Sequence, residues 1–429
     1  MFVVPVITAA VLALALYIYI LADDKRWLVV AIISHILLFL RVTKGAGETP
    51  ALGPAEIVFS LIFFPGLLLW FVRRFQTREK FVEGWEDIVT IVFILYAFLG
   101  IGIAVYQGFS LQKGFREFLL FVPLLFIFPV RKEAAKKNGR QLIIWALLLL
   151  SACVAAYIIA RYRVDLLVAK YLWQVAANRQ QKEESLYMTA IIILFAFLVG
   201  TRYSKGIILP LLALELFALA ITFSRGYWIT TALGIVSLVF LLKGVARRRL
   251  IVFSGVAISL AVIVALAIFP GLFGSVIAGL GERLSSISIN TLSLRDRLVE
   301  SQAVVGKVEA NPVIGYGLGS LFSFFDIIHS RTLETWYIHN AYLFLLFKFG
   351  LTGFLLFLTM YLKRVSTLFK LWRKTQSTAD NALVSAMLLI PLMMLFISVT
   401  SPQFDDRGSL LILAIVWGLG EAMWKYRTD

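Results

Sequence analysis

The chain has 429 residues, of which 60% are hydrophobic, 14% aromatic and only 15% charged, with a net charge of +16. A soluble domain usually carries about 25% charged residues, so this chain lacks the polar surface to cover a water-soluble fold. The basic excess does not point to nucleic acid, because it gathers in short loops between apolar blocks.

The apolar blocks set the architecture. Val3 to Leu21, Leu142 to Ala160, Leu250 to Phe269 and Ala382 to Thr400 each run without an ionised side chain. Each is about the length that crosses a hydrocarbon core at 1.5 Å per residue. The first block lacks a basic start and is followed by Asp23-Asp24-Lys25-Arg26 rather than a cleavage site, so it reads as a retained helix. Further spans are predicted near 27–42, 55–72, 88–107, 115–130, 186–200, 207–223, 227–242, 338–362 and 409–424. The second is short and contains His35, so the fold class expected is an all-α polytopic membrane protein of about 12–13 transmembrane helices.

Arg131, Lys132, Lys136, Lys137 and Arg140 form one basic loop, Lys243 and Arg247 to Arg249 a second, and Lys363 to Lys374 a third. The positive-inside rule holds those loops in the cytoplasm and leaves 161–185 and 271–337 outside. The segment 271–337 is the largest outside the membrane. Its Arg283, Arg295, Arg297, Lys307 and Arg331 are balanced by Glu282, Asp296, Glu300, Glu309, Asp326 and Glu334, so its arginines need a local reason. Leu292 to Ala310 has helical spacing, with Leu294, Leu298, Val305 and Val308 apolar, and Asn311-Pro312 ends it.

His339 stands where this segment re-enters the membrane, beside Trp336 and Tyr337. A histidine there serves either as a proton acceptor or as an interfacial polar residue. Continued as one helix, the chain brings Gly350 and Gly353 to within about 20° and 40° of the His339 face, which lets another helix pack below it. Arg225, in the tight turn Ser224-Arg225-Gly226, lies at headgroup depth and suits phosphate oxygens, specifically or as a snorkelling side chain. Leu294-Arg295-Asp296-Arg297 reads as an anion clamp or as a surface helix with local ion pairs. The alternating Gly315, Gly317 and Gly319 permit backbone close to a ligand. Asp405-Asp406-Arg407 reads as a solvated turn rather than a cation site, Cys153 is the only cysteine, and no metal set or cofactor is expected. Glu215 and Lys348 lie at matching depth in apolar runs, either paired or with Lys348 snorkelling and Glu215 protonated.

The ordered set Ser224-Arg225, Leu294-Arg295-Asp296, Asn311-Pro312 with its glycines, and His339-Asn340 before Gly350-Leu351-Thr352-Gly353 resembles the O-antigen ligase and polymerase superfamily. The resemblance covers about 205–400, with Lys348 a departure, and divides the chain into N-terminal helices 1–204 and a catalytic region 205–424. It implies a multi-pass enzyme of the bacterial inner membrane with a periplasmic active site. Such an enzyme moves a glycan from undecaprenyl diphosphate to a hydroxyl, foremost that of lipid A–core, among membrane lipids. His339 would be the base, and Arg225 and Arg295 would hold the diphosphate. Arg297, Arg331, Asn340, Trp228 and Arg161 are secondary candidates. An O-antigen polymerase, an O-linked protein oligosaccharyltransferase and a lipid-linked glycan transporter are the competing readings. A transporter is expected to show inverted repeats and broken helices, and neither is evident in the sequence.

Cysteine labelling tests the topology. Externally added impermeant maleimide is expected to reach a cysteine at position 309 and to miss one at position 136. The opposite pattern reverses the orientation.

Overall fold

The computed structural model describes residues 3–38, 54–136, 138–167, 183–200, 204–242, 244–268, 274, 275, 277–279, 281, 292–328 and 330–426. Its helices are α1 (Val3–Leu21), α2 (Asp24–Ser34), α3 (Pro54–Gln76), α4 (Trp85–Tyr106), α5 (Leu111–Phe118), α6 (Ile127–Ala134) and α7 (Gly139–Leu167). There follow α8 (Glu184–Gly200), α9 (Lys205–Ile221), α10 (Arg225–Leu241), α11 (Gly244–Ile268) and α12 (Leu292–Ala310). The last three are α13 (Ala341–Lys374), α14 (Thr378–Ile397) and α15 (Arg407–Lys425). Among the described residues, seven helices are long and apolar enough to cross a membrane, so the chain is an all-α polytopic membrane protein.

Where they are described, the expected spans fall mainly on helix, with 39–42 outside the described residues, but not all are full crossings. α8 and α10 have 17 residues each, and α8 is buried along almost its whole length, so it is walled in by protein. The span expected at 115–130 is broken into α5, a 3₁₀ turn at Val122–Phe126 and α6. Pro123 opens that turn and removes an amide from the helical ladder. His329 and the stretches 168–182 and 282–291 lie outside the described residues.

One end of the bundle is tied by a buried charge cluster. Arg131 of α6 donates to Asp87 of α4 at 2.9 Å and to Glu421 of α15 at 2.7 Å. Arg364 of α13 donates to Glu421, to Thr90 at 2.7 Å and to Asp87 at 3.3 Å. The start of α4 and the ends of α6, α13 and α15 thus share one side, as the basic loops require. Glu86, Asp87 and Glu421 bring carboxylate oxygens within 4.8 Å of one another. The two guanidinium groups already supply positive charge to two of those three.

The opposite end is organised by a break in α13. Gly350 has φ 61° and ψ −169°, so the helix is not continuous there. In an unbroken helix Leu351 and Thr352 would donate to Phe347 and Lys348. Instead they donate to Pro312 at 2.7 Å and Val313 at 3.1 Å, while Phe347 and Lys348 accept from Tyr316 and Gly317, each at 2.8 Å. The loop after α12 therefore replaces both lost bonds with four of its own, and no freed group is left bare in the apolar interior.

This overturns two expectations. His339 precedes the helix and Gly350 interrupts it, so the three residues do not share a helical face; Gly353 packs on Tyr96 and Phe349 instead. The glycine series holds backbone against backbone rather than against a ligand. A Cβ on Gly317 would stand 2.2 Å from the Gly100 carbonyl oxygen, and one on Gly319 would stand 2.6 Å from the Gly114 nitrogen. Both glycines have positive φ, and their amides donate to Lys348 O and to the Glu117 carboxylate.

Lys348 is also not the partner of Glu215. Its ammonium is fully buried and donates to Glu117 at 2.9 Å and to Ser320 O at 2.8 Å, so it does not snorkel. Glu215 accepts from Ser151 Oγ at 2.8 Å. The broken fifth span is what brings Glu117 to this depth.

The segment expected to be partly helical also holds a hairpin, β1 (Phe322–Asp326) antiparallel to β2 (Arg331–Thr335), with Phe322 opposite Thr335 and Asp326 opposite Arg331. Phe322, Phe324 and Asp326 turn inward from β1, which packs on α12.

Replacing Lys348 with Met or Glu117 with Gln strands a buried charge, a loss of about 3–5 kcal/mol. The double variant is expected to be more stable than either single one in thermal unfolding of the solubilised protein. Additive losses refute the pairing.

Candidate active site

The starts of α10 and α13 both meet the C-terminal end of α14, Gly226 against Ile397 and Ala341 N donating to Ser398 O at 2.9 Å. Thr222 Oγ accepts from Ser224 N at 3.2 Å and donates to Leu219 O at 2.7 Å, and Trp228 Nε1 donates to the same carbonyl at 2.9 Å. Phe223 takes φ 53° in this turn, and Arg225 is the first residue of the helix. It therefore stands at a helix N-terminus, whose free amides add to its positive field. Trp228 secures the turn.

His339 is held by Glu300. The Glu300 carboxylate faces His339 Nδ1 at 2.7 Å and accepts the His339 backbone amide at 2.7 Å. Glu300 is 2% exposed, whereas the imidazole is 31% exposed. A carboxylate on Nδ1 keeps the proton on that nitrogen and leaves the Nε2 lone pair for whatever enters. Tyr337 packs edge-on against the ring at 4.9 Å.

Glu300 was missed by sequence reasoning. The buried face of α12 carries Glu300 and Val304, while Leu298 is 57% and Val305 40% exposed. The signal was present but inverted: the helix turns a carboxylate inward and leucine outward.

Arg297 lies three residues before Glu300, about 60° round the helix, and donates to Thr400 O at 3.0 Å. Burial pulls its guanidinium below the ordinary range, with the Arg225 cation adding to that fall, against the opposing pull of Tyr337, Glu300 and Asp296. A Cβ on Gly226 would stand 3.4 Å from the Oγ of the same Thr400. The Arg225 and Arg297 cations thus repel each other, with Arg297 one helical turn from Glu300. Arg295 is exposed and lies about 140° round the helix from Glu300. Asp296 accepts from Ile327 N at 2.8 Å and so fastens the hairpin.

The other candidates are placed as follows. Asn340 caps α13, its side chain accepting from Tyr342 and Leu343 amides at 3.0 and 3.1 Å. Arg331 is exposed at the start of β2. Arg161 lies within α7 rather than in a loop, and donates to Tyr157 at 3.4 Å.

The acidic turn is not solvated as expected. Asp406 caps α15 through Ser409 N at 2.7 Å, and Asp405 Oδ1 is shut off from solvent. Burial pushes the carboxyls of both above the usual range. Burial likewise pushes the Tyr337 phenol up, with the Asp405 charge adding to it.

Residues 210–358 match the family model described as O-Antigen ligase. The match supports the O-antigen ligase and polymerase superfamily, a glycosyltransferase-like enzyme family. No curated protein matches the chain. The matched segment runs from α9 into α13 and contains Arg225, Arg297, Glu300 and His339.

Arg297→Ala is expected to lower glycosyl transfer about ten- to hundredfold, the worth of a charged hydrogen bond. Arg295→Ala is expected to stay within about twofold. Rates measured side by side in membranes of equal protein content decide the ranking; a reversed order assigns the role to Arg295.

Proposed function

We propose that the protein transfers a glycan from undecaprenyl diphosphate to a hydroxyl of lipid A–core, at the periplasmic face of the bacterial inner membrane. The observation that carries this reading is the His339–Glu300 hydrogen bond, with Arg297 one helical turn from Glu300 on α12, within the segment that matches the ligase family.

The chemistry follows from the groups present. Arg225 and Arg297 neutralise the diphosphate, a leaving group whose charge grows as its bond to the sugar breaks. His339 Nε2 accepts the proton of the acceptor hydroxyl, and Glu300 stabilises the imidazolium that forms. The acceptor oxygen bonds to the anomeric carbon from the face opposite the diphosphate. The carbon–oxygen bond to phosphate breaks, its electron pair stays on the diphosphate, and the anomeric centre inverts. Undecaprenyl diphosphate leaves.

The transporter reading is weakened by how α13 is broken. Broken helices in transporters leave backbone groups to coordinate cargo. Here the loop from Pro312 to Gly317 takes up the groups freed at Leu351, Thr352, Phe347 and Lys348.

Purified protein, a lipid-linked glycan and each acceptor in turn test the reading. Lipid A–core is expected to be glycosylated. Product only with a second lipid-linked glycan assigns a polymerase, product only with a protein hydroxyl assigns a protein glycosyltransferase, and no product with any acceptor removes the enzyme reading. His339→Ala is expected to lose about a hundred- to ten-thousandfold in rate while remaining folded. Arg225→Lys is expected to lose much of the activity, because a point charge does not replace a planar fork.

A further inference from the structure

At the basic end of the bundle, which the positive-inside rule assigns to the cytoplasm, two cation clusters are answered by carboxylates of the protein itself. Arg131 and Arg364 share Asp87 and Glu421. Arg73 and Arg74 both reach Asp24, at 2.7 and 2.8 Å. A further cluster is not answered. It consists of Lys205, the first residue of α9, and Arg247, Arg248 and Arg249 near the start of α11. The sequence from 185 to 281 holds a single acid, Glu215. That carboxylate is buried against Ser151, ten residues into α9 and about 15 Å along the axis from Lys205. Arg247 is spent on the end of α10, where its Nε donates to the Val239 and Leu242 carbonyls at 3.0 and 3.2 Å. Among the described residues, Lys205, Arg248 and Arg249 pair with no carboxylate.

A cavity of about 290 Å³ opens at these cations, lined by Arg248, Arg249, Val252 and Phe253. Arg248 and Val252 are four residues apart, as are Arg249 and Phe253, so they form two adjacent ridges on one face of α11. Val252 and Phe253 lie one turn deeper along the helix than the arginines. α9 packs along α11, and Lys205 Nζ reaches across to stand 4.8 Å over the Phe253 ring. Neither helix has an acid in its first turn, so the two helix starts add their own positive field. Lipid-facing stretches elsewhere, such as Leu12, Leu14 and Leu16 of α1, offer apolar side chains alone. Here a hollow, three unanswered cations and an apolar lower wall coincide.

We infer that this cavity binds the phosphate head of an anionic membrane phospholipid. The Arg248 and Arg249 guanidinium groups present planar forks that match phosphate oxygens, and Lys205 adds a point charge. Val252 and Phe253 meet the first methylenes of the acyl chains below the head. Charge complementarity selects an anionic head over a zwitterionic one, because a zwitterion brings a cation of its own to a rim that is already cationic. Basic pockets between membrane helices on the cytoplasmic side hold such heads in this way. The site lies at the far end of α10 from Arg225 and uses none of the groups assigned to glycan transfer, so it stands apart from that reading.

Native mass spectrometry of the detergent-purified full chain tests the assignment. The chain is titrated with phosphatidylglycerol, with phosphatidylcholine of the same acyl chains, and with inorganic phosphate. Phosphatidylglycerol is expected to bind about tenfold more tightly than phosphatidylcholine, and inorganic phosphate not to compete with it. Each base near an anionic head is worth about fivefold, so Arg248→Gln with Arg249→Gln is expected to lower phosphatidylglycerol affinity about twentyfold. Lys363→Gln with Lys370→Gln removes the same charge from exposed positions of α13 and is expected to leave that affinity unchanged. Equal losses in both double variants mean that the basic face attracts anionic lipid without a site, and overturn the proposal. Equal retention of the two lipids by the native chain overturns it without any variant. Inorganic phosphate that competes as well as the lipid assigns a free-anion site instead and overturns the lipid occupant. Arg248→Lys with Arg249→Lys keeps the charges that set topology, and so covers a glutamine variant that does not fold. It is expected to lose about fivefold, because an ammonium does not reproduce the planar fork; an unchanged affinity refutes the arginine contacts.

Discussion

The structure depends on how a broken membrane helix satisfies its backbone. A helix interrupted in hydrocarbon leaves two donors and two acceptors without water, each costing several kcal/mol if left alone. In α13 the chain meets this demand with its own outer loop, which exchanges four hydrogen bonds with the two sides of the gap. Because the same loop is the direct continuation of α12, the helix bearing Arg297 and Glu300 is anchored to the helix that His339 precedes. The Lys348–Glu117 pair and the Gly319 amide on Glu117 lock the far end of that loop to α5. Rigidity at the gap is thus what lets a buried carboxylate on one element meet an imidazole on another at 2.7 Å.

The site itself brings like charges together. Arg225 stands at a helix N-terminus and Arg297 is half-buried within its field, so the two cations repel. Glu300 and Asp296 offset that repulsion at Arg297 while Glu300 also holds His339 and Asp296 the hairpin.

What the sequence made legible follows from what each signal measures. Apolar blocks and basic loops report on transfer into lipid, and among the described residues they located the long apolar helices near their places. They are blind to a residue such as Gly350, which interrupts a helix without proline and without a polar run. Periodicity failed on α12 because an apolar residue was assumed to mark the buried face; Leu298 and Val305 are outside, and Glu300 is within. The choice between Arg295 and Arg297 needed the helix phase, which two adjacent candidates in one motif do not reveal. Lys348, read as a departure from the family pattern, is accounted for by Glu117, a partner that only the broken fifth span brings near.

The buried cluster of Arg131, Arg364, Asp87 and Glu421 has a consequence for biosynthesis. A chain made from its N-terminus delivers α4 with Asp87 first, then α6 with Arg131, then α13 with Arg364, and Glu421 only in its final helix. Until α15 arrives, Arg364 shares Asp87 with Arg131, which also faces Glu83 at 3.6 Å, and the half-built bundle lacks the carboxylate that joins both guanidinium groups. The last helix is therefore a keystone. Its insertion joins both guanidinium groups to one carboxylate, and a ribosome that stops before Glu421 leaves a bundle whose buried cluster is incomplete, open to recognition by quality-control proteases of the membrane.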